Sequence, residues 1–195
     1  EAGIGLVHSA ATRAGLDAVA AAGLRAWVTV GSEPAKIEAT VRALRDHPSL
    51  FMWETEDEPS YQWKKAGARV SPERMRAAYA LLKKLDPARP VYLNHAPTNL
   101  VSTLKSYDPA ADIIATDIYP VIPHGIREQY ALWPDGRQGD LRNNTISQVG
   151  GYADKMRPVA GERPLWMVLQ AFAWEMARRE GDRDARMILY PTRAQ

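Results

Sequence analysis

Short β-rich runs alternate with amphipathic helical stretches along most of this sequence, and that order constrains the fold more than any other feature. Parallel strands need a crossover of a dozen or more residues, commonly a helix, so the alternation calls for parallel βα units rather than a sandwich or a bundle. A helix over residues 11–22 runs through Gly23 into a strand at 25–30, whose end is marked by Gly31 and Ser32. Ile37, Val41 and Leu44 follow the 3.6-residue period of a second helix begun at Pro34, and Pro48 stops it before a strand at 50–55. After a polar segment over 56–70, Ser71 and Pro72 give a capping hydroxyl and a first-turn proline, with Met75, Tyr79, Leu82 and Leu85 on one helical face. Strands at 91–94, 112–119 and 165–169 follow. Helices near 100–106 and from Ile146 to Met156 separate them, the second weakened by Gly150 and Gly151.

The fold class is therefore α/β, and the architecture expected is a (β/α)8 TIM barrel that is incomplete in this chain. Five strands are clear and a vestigial sixth is expected at residues 5–7, whereas a whole barrel has eight strands in about 250 residues. The sequence reads as one barrel domain over 1–195, cut at both ends, its last residues, 187–195, forming a loop and the first turn of a helix. Open edges of such a sheet call for cover, so a homo-oligomer is one expected assembly.

Composition narrows the function. With 25 Lys+Arg against 23 Asp+Glu there is no field to hold nucleic acid or an acidic membrane, and no apolar run reaches the roughly 18–20 residues of a membrane helix. A neutral partner is expected. The absence of cysteine excludes a disulfide scaffold and thiolate metal ligation. His8, His47, His95 and His124 lack ligand spacing, so neither metal nor cofactor is expected. No phosphate-binding glycine loop or nucleophile elbow is present. Six tryptophans against two phenylalanines suit stacking on sugar rings and equally suit core filling. The compartment is undetermined, an exported protein being slightly favoured; the sequon Asn143-Asn144-Thr145 adds little to that.

The stretch Phe51-Met52-Trp53-Glu54-Thr55-Glu56-Asp57-Glu58-Pro59 discharges an apolar strand into four carboxylates within five residues. In a parallel barrel the C-terminal strand ends share one mouth, where crowded acids raise one another's pKa. A solvated acidic loop explains the same residues equally well. Trp53-x-x-x-Asp57-Glu58-Pro59 resembles the fourth-strand end of bacterial proteins similar to clan A glycoside hydrolases, in which the Glu before Pro is the general acid/base. The His47-Pro48-Ser49-Leu50 lead, the fifth and sixth strands and Pro164–Phe172, as the seventh, carry the resemblance over residues 12–195 in order. It implies a glycosidase acting on a carbohydrate substrate, with Glu58 as acid/base, or a noncatalytic, carbohydrate-binding or degenerate relative.

The resemblance also exposes a departure. The nucleophile of the retaining enzymes sits at the seventh-strand end, where this chain has Gln170, and an amide cannot form the glycosyl ester. Asp117 is the first candidate for the second carboxylate, ahead of Glu175 and Glu54. Asp57, Asn94, His95, Tyr119, Gln170 and Trp174 are expected to bind substrate around the same mouth, with Trp53 a weaker candidate for a sugar floor. Strand periodicity turns only one of two alternatives inward.

Overall fold

The structure, a computed structural model, describes residues 3–61, 67–97, 99–119, 147–188 and 190–191. Six strands, β1 (Leu6–Ser9), β2 (Arg25–Thr29), β3 (Leu50–Glu54), β4 (Val91–His95), β5 (Ile113–Ile118) and β6 (Leu165–Leu169), form one sheet in chain order, every neighbouring pair parallel. This is an arc of a TIM barrel, six strands where the closed form has eight. The expected parallel order is met. The segment expected to be vestigial is a full edge strand, paired from Leu6↔Arg25 to Ser9↔Val28.

Helices α1 (Arg13–Ala21), α2 (Pro34–Leu44), α3 (Pro72–Leu85), α4 (Val101–Lys105) and α5 (Ser147–Ala160) connect the strands. Capping follows the sequence: the Thr12 and Ser71 hydroxyls accept from Gly15 N at 3.1 Å and Arg74 N at 3.3 Å, with Pro72 in the first turn of α3. Pro158 lies inside α5. The segment 120–146, with His124 and the sequon, lies outside the described residues; of the tail, Ala185–Met187 forms a 3-10 turn.

Alternation along each strand separates two cores. Outward residues Val28, Trp53 and Val91 pack on Ile37, Val41 and Leu82 of the helices, and Leu93 and Ile114 pack on Leu104, Met156 and Val159. Each such fully buried aliphatic side chain contributes about 1.5–3 kcal/mol. Inward residues Met52, Tyr92, Ile113 and Ala115 form a smaller cluster with Leu6 and Trp27. Trp53 therefore faces the helices, where its indole N–H donates to Asp86 at 3.0 Å, and it cannot floor a sugar site.

The His47-Pro48-Ser49 lead is an anchor. The His47 Nε2 meets Asp17 at 3.0 Å while its Nδ1 accepts from Ser49 N at 3.2 Å, and the Ser49 hydroxyl donates to Leu16 O at 3.0 Å. These contacts tie α1 to the start of β3 and fix where the strand's acidic end emerges.

Candidate functional site

Register determines which polar side chains share the barrel interior. Thr29 pairs with Glu54, and Asn94 with Ala115 two residues before Asp117, so Thr29, Glu54, Asn94 and Asp117 all fall on the inward phase near the C-terminal strand ends. His8, Trp27, Tyr92 and Trp166 occupy the same phase lower down or on neighbouring strands, and all four line one cavity of about 790 Å³ with Glu54, Asp57 and Asn94. Their rings form a row, 5.4 Å from His8 to Trp27, 6.2 Å from Trp27 to Tyr92 and 5.8 Å from Tyr92 to Trp166.

The four clustered carboxylates divide between two sides. Glu56 accepts from the Ser32 hydroxyl at 2.8 Å, and Arg74, ion-paired with Glu33, also reaches Ser32 at 2.9 Å, so Glu56 serves the β2–α2 junction. Glu54 turns inward. Its Oε2 accepts from the Thr29 hydroxyl at 2.5 Å and the Trp27 indole also donates to it, but burial still pushes its carboxyl up, aided by Asp57. The Thr29 oxygen meets His8 Nε2 at 2.9 Å. Asp57 accepts from the Asn94 amide at 3.0 Å.

Glu58 follows the strand with φ of 45°, in the left-handed region that a side chain enters at a cost. Its backbone N–H donates to Asn94 O at 3.1 Å and its carbonyl accepts from Tyr61 N at 3.1 Å, which together hold the turn. Burial, then the neighbouring Asp117 carboxylate, to which Glu58 hydrogen-bonds, push the Glu58 carboxyl up to about 8; Asp57 adds to the rise and Arg69 opposes it. The Asp117 carboxyl is itself raised by burial, while hydrogen bonds from Glu58 and Tyr119 work against that rise. Burial thus raises both carboxyls, and the Asp117 charge adds to the rise at Glu58.

Tyr119 gives its hydroxyl to Asp117 and its ring lies edge-on to Phe172 at 4.9 Å and Trp174 at 5.9 Å. Trp174 also donates its indole N–H to Tyr119 O at 3.3 Å. Gln170 is buried after β6 and donates to Phe172 O at 2.8 Å. The structure thus joins Glu58, Asp57, Asn94, Asp117 and Tyr119, and links Gln170 and Trp174 through the aromatic group at the β6 end.

Two expectations are corrected. His95 lies on the outward phase beside Thr116, fully buried against Tyr107 at 6.1 Å, and the absence of water holds its imidazole down to about 4. It is a core histidine of the helix layer and does not line the mouth. Glu175 braces its own loop, its Oε1 accepting from Asp184 N at 2.7 Å and Arg178 at 3.2 Å while its Oε2 is buried without a hydrogen-bond partner. The sequence reading missed Thr29, Trp27 and Tyr92. Applying the two-residue period from Glu54 across the register would have found them.

Among the described residues no group of three or more His, Asp or Glu is arranged to hold a metal ion. No described helix is long and apolar enough to cross a membrane.

The parallel βα arc, with Glu58 and Asp117 at its strand ends, is part of a TIM barrel. The model of the glycosyl hydrolases family 2 TIM barrel domain matches residues 24–146, more than half of the chain, and the chain belongs to that family. The match spans β2 to β5, with Glu58 and Asp117, and ends before Gln170.

Solved structures with the same fold include the Parabacteroides merdae β-glucuronidase, with TM-score 0.56, 12% identity and coverage of 95% of this chain and 24% of that one. A Dictyoglomus thermophilum β-D-glucuronidase gives 0.55 at 16% identity, covering 85% and 29%. A Bacteroides fragilis putative β-galactosidase gives 0.54 at 16%, covering 87% and 23%. The chain spans less than a third of the length of these structures. Comparison with curated proteins gives no match.

Proposed function

We propose that this chain carries the acid/base half of a glycoside hydrolase site, cleaving an O-glycosidic bond with Glu58 as proton donor to the leaving oxygen. The carrying observation is the Glu58–Asp117 pair: a carboxyl that keeps its proton to about pH 8 is a general acid across the neutral range. The family membership and the likeness of Trp53-x-x-x-Asp57-Glu58-Pro59 to the clan A acid/base strand support the same role.

Asp117 acts through Glu58. Hydrogen-bonded carboxyl oxygens lie about 2.5–3.0 Å apart, nearer than the roughly 5–5.5 Å of retaining enzymes or 6.5–9.5 Å of inverting ones. It is a positioning residue that keeps the proton on its neighbour, and Glu54, which lines the cavity, is the stronger candidate for the second carboxylate. Asp57 and Asn94 hold sugar hydroxyls in this reading, and Tyr119, Gln170 and Trp174 bound the subsite. The Gln170 amide favours the second reading, a noncatalytic carbohydrate-binding or degenerate barrel.

Glu58→Gln separates the two. Hydrolysis of a panel of aryl β-glycosides should fall at least about 100-fold with sugar affinity retained, the scale of a lost general acid. Turnover unchanged by the substitution would remove Glu58 from the mechanism, and sugar binding without turnover in the parent chain would leave the binding module.

A further inference from the structure

Three side chains lining the cavity, one from each of three successive strands, form a hydrogen-bonded chain separate from the Glu58–Asp117 pair. His8 of β1 meets the Thr29 hydroxyl of β2 through Nε2 at 2.9 Å, and that hydroxyl donates to Glu54 Oε2 of β3 at 2.5 Å. Thr29 lies opposite Glu54 in the parallel register, so the pairing of the strands sets this chain across the cavity wall. Its two ends differ in access to water. Glu54 is 5% exposed, whereas His8 is exposed on β1, an edge of the sheet among the described residues.

A hydroxyl has one proton to give. With that proton directed at Glu54, the Thr29 oxygen can only accept from His8, so the imidazole presents Nε2–H while Glu54 is ionised. The chain also runs the other way. A protonated Glu54 gives its proton to the Thr29 oxygen as the Thr29 proton passes to Nε2 of an imidazole protonated at Nδ1. One O–H bond at Glu54 breaks, one N–H bond forms at His8, and Thr29 ends with one proton as it began. The product is a carboxylate and an imidazolium, whose Nδ1 proton leaves to water, an exchange that imidazole makes near neutrality. The Trp27 indole, a donor with no acceptor, gives a second hydrogen bond to Glu54 and lies 5.4 Å from the His8 ring, so it holds both ends without carrying the proton. The other titratable groups around Glu54 are Asp57 and Glu56, which follow its strand, and Tyr92 of β4. Burial first, and then the charges of Asp57 and Glu56, raise the Glu54 carboxyl against its two donors and make it readier to take up a proton.

We propose that His8 and Thr29 are positioning residues of Glu54, a two-membered relay that carries its proton between the buried cavity wall and solvent. A base that takes a proton from an attacking water must shed it before the next turnover, and the relay supplies the exit. That catalytic use rests on reading Glu54 as the second carboxylate; the relay itself does not.

The test is a paired NMR titration of the 195-residue chain, with carbon-13 on the glutamate carboxyls and nitrogen-15 on the imidazoles. The two signals are assigned by their loss in Glu54→Gln and His8→Gln. Coupled sites share their macroscopic midpoints, so each signal should show a step at the midpoint of the other. Thr29→Val deletes the hydroxyl and keeps the branched shape; the cross-steps should fall at least about threefold, and Thr29→Ser should restore them. A threonine that only packed β2 on β3 would leave both curves unaltered by the valine substitution. His8→Gln, at an exposed position, is the second variant should the first fail to fold. Its amide still donates to Thr29 but does not titrate, so the Glu54 curve should lose its second step. Independent titration in the parent chain, or cross-steps as large in Thr29→Val as in the parent, would overturn the proposal. Cross-steps in a chain that hydrolyses no glycoside would uphold the relay and defeat the hydrolase reading. Hydrolysis that falls in Glu58→Gln, with no cross-steps, would keep that reading and remove the relay.

Discussion

Two carboxyls in contact and partly shielded from water cannot both ionise cheaply, so the raised titration of Glu58 is a property of the Glu58–Asp117 pair. Asp117→Asn removes the like charge and offers an amide donor in its place, so the Glu58 titration should move well below about 8. NMR of a carbon-13-labelled glutamate side chain reads this whether or not the chain turns over; an unmoved midpoint would show that burial alone sets it. The sign for stability follows. A carboxyl whose folded-state pKa lies above its ordinary 4.5 binds its proton more tightly in the fold, so this group favours folding below 4.5 and loses that contribution as pH rises through about 8. The acidic strand end was visible in the sequence as a local cluster, but Glu58 was singled out from it by the resemblance of Trp53-x-x-x-Asp57-Glu58-Pro59, and Asp117 by its place at the end of a strand. The choice between Asn94 and His95 was not legible, because adjacent residues on one strand differ only in which face the register gives them, and all five residues of β4 are buried.

Elements position the mouth through contacts that no periodicity announces. Lys155 of α5 is buried and donates to Pro97 O at 2.5 Å and Asn99 O at 2.7 Å, while the Asn99 amide reaches Ser60 O and its hydroxyl, both at 2.9 Å. A helix 14 residues long thus braces the loop after β4, and through it the turn carrying Glu58. Lys155→Met keeps the aliphatic stem and strips two carbonyls of their donor, which should cost about 1–3 kcal/mol in urea unfolding and speed amide exchange at Ala96, Asn99 and Leu100. No loss in either would make the brace incidental. The strands and helices themselves were largely readable, with ends shifted by one or two residues, as at β5, which stops at Ile118 rather than Tyr119. The edge strand β1 was expected only as a vestige at residues 5–7, because its four residues carry little pattern of their own and their full extent depends on pairing with β2.

At the scale of the whole molecule, the sheet formed by the described residues has two edges, and Ile4 at 64% and Leu169 at 57% exposure leave apolar surface beside them. We expect this 195-residue chain to self-associate, so that light scattering at micromolar concentration gives a mass above 21.7 kDa and Leu169→Lys lowers it. A monodisperse monomer unaffected by that substitution would show that other residues cover the edges. The left-handed backbone at Glu58 bears on the whole chain differently. Holding a side chain there costs on the order of 1–2 kcal/mol that glycine would not incur, a sizeable share of a margin of about 5–15 kcal/mol. The residue the backbone would tolerate best at 58 is one without a carboxyl. Selection for thermal robustness alone therefore pushes toward erasing this acid, and stabilised descendants of the chain would be expected to lose it early unless the site is screened alongside.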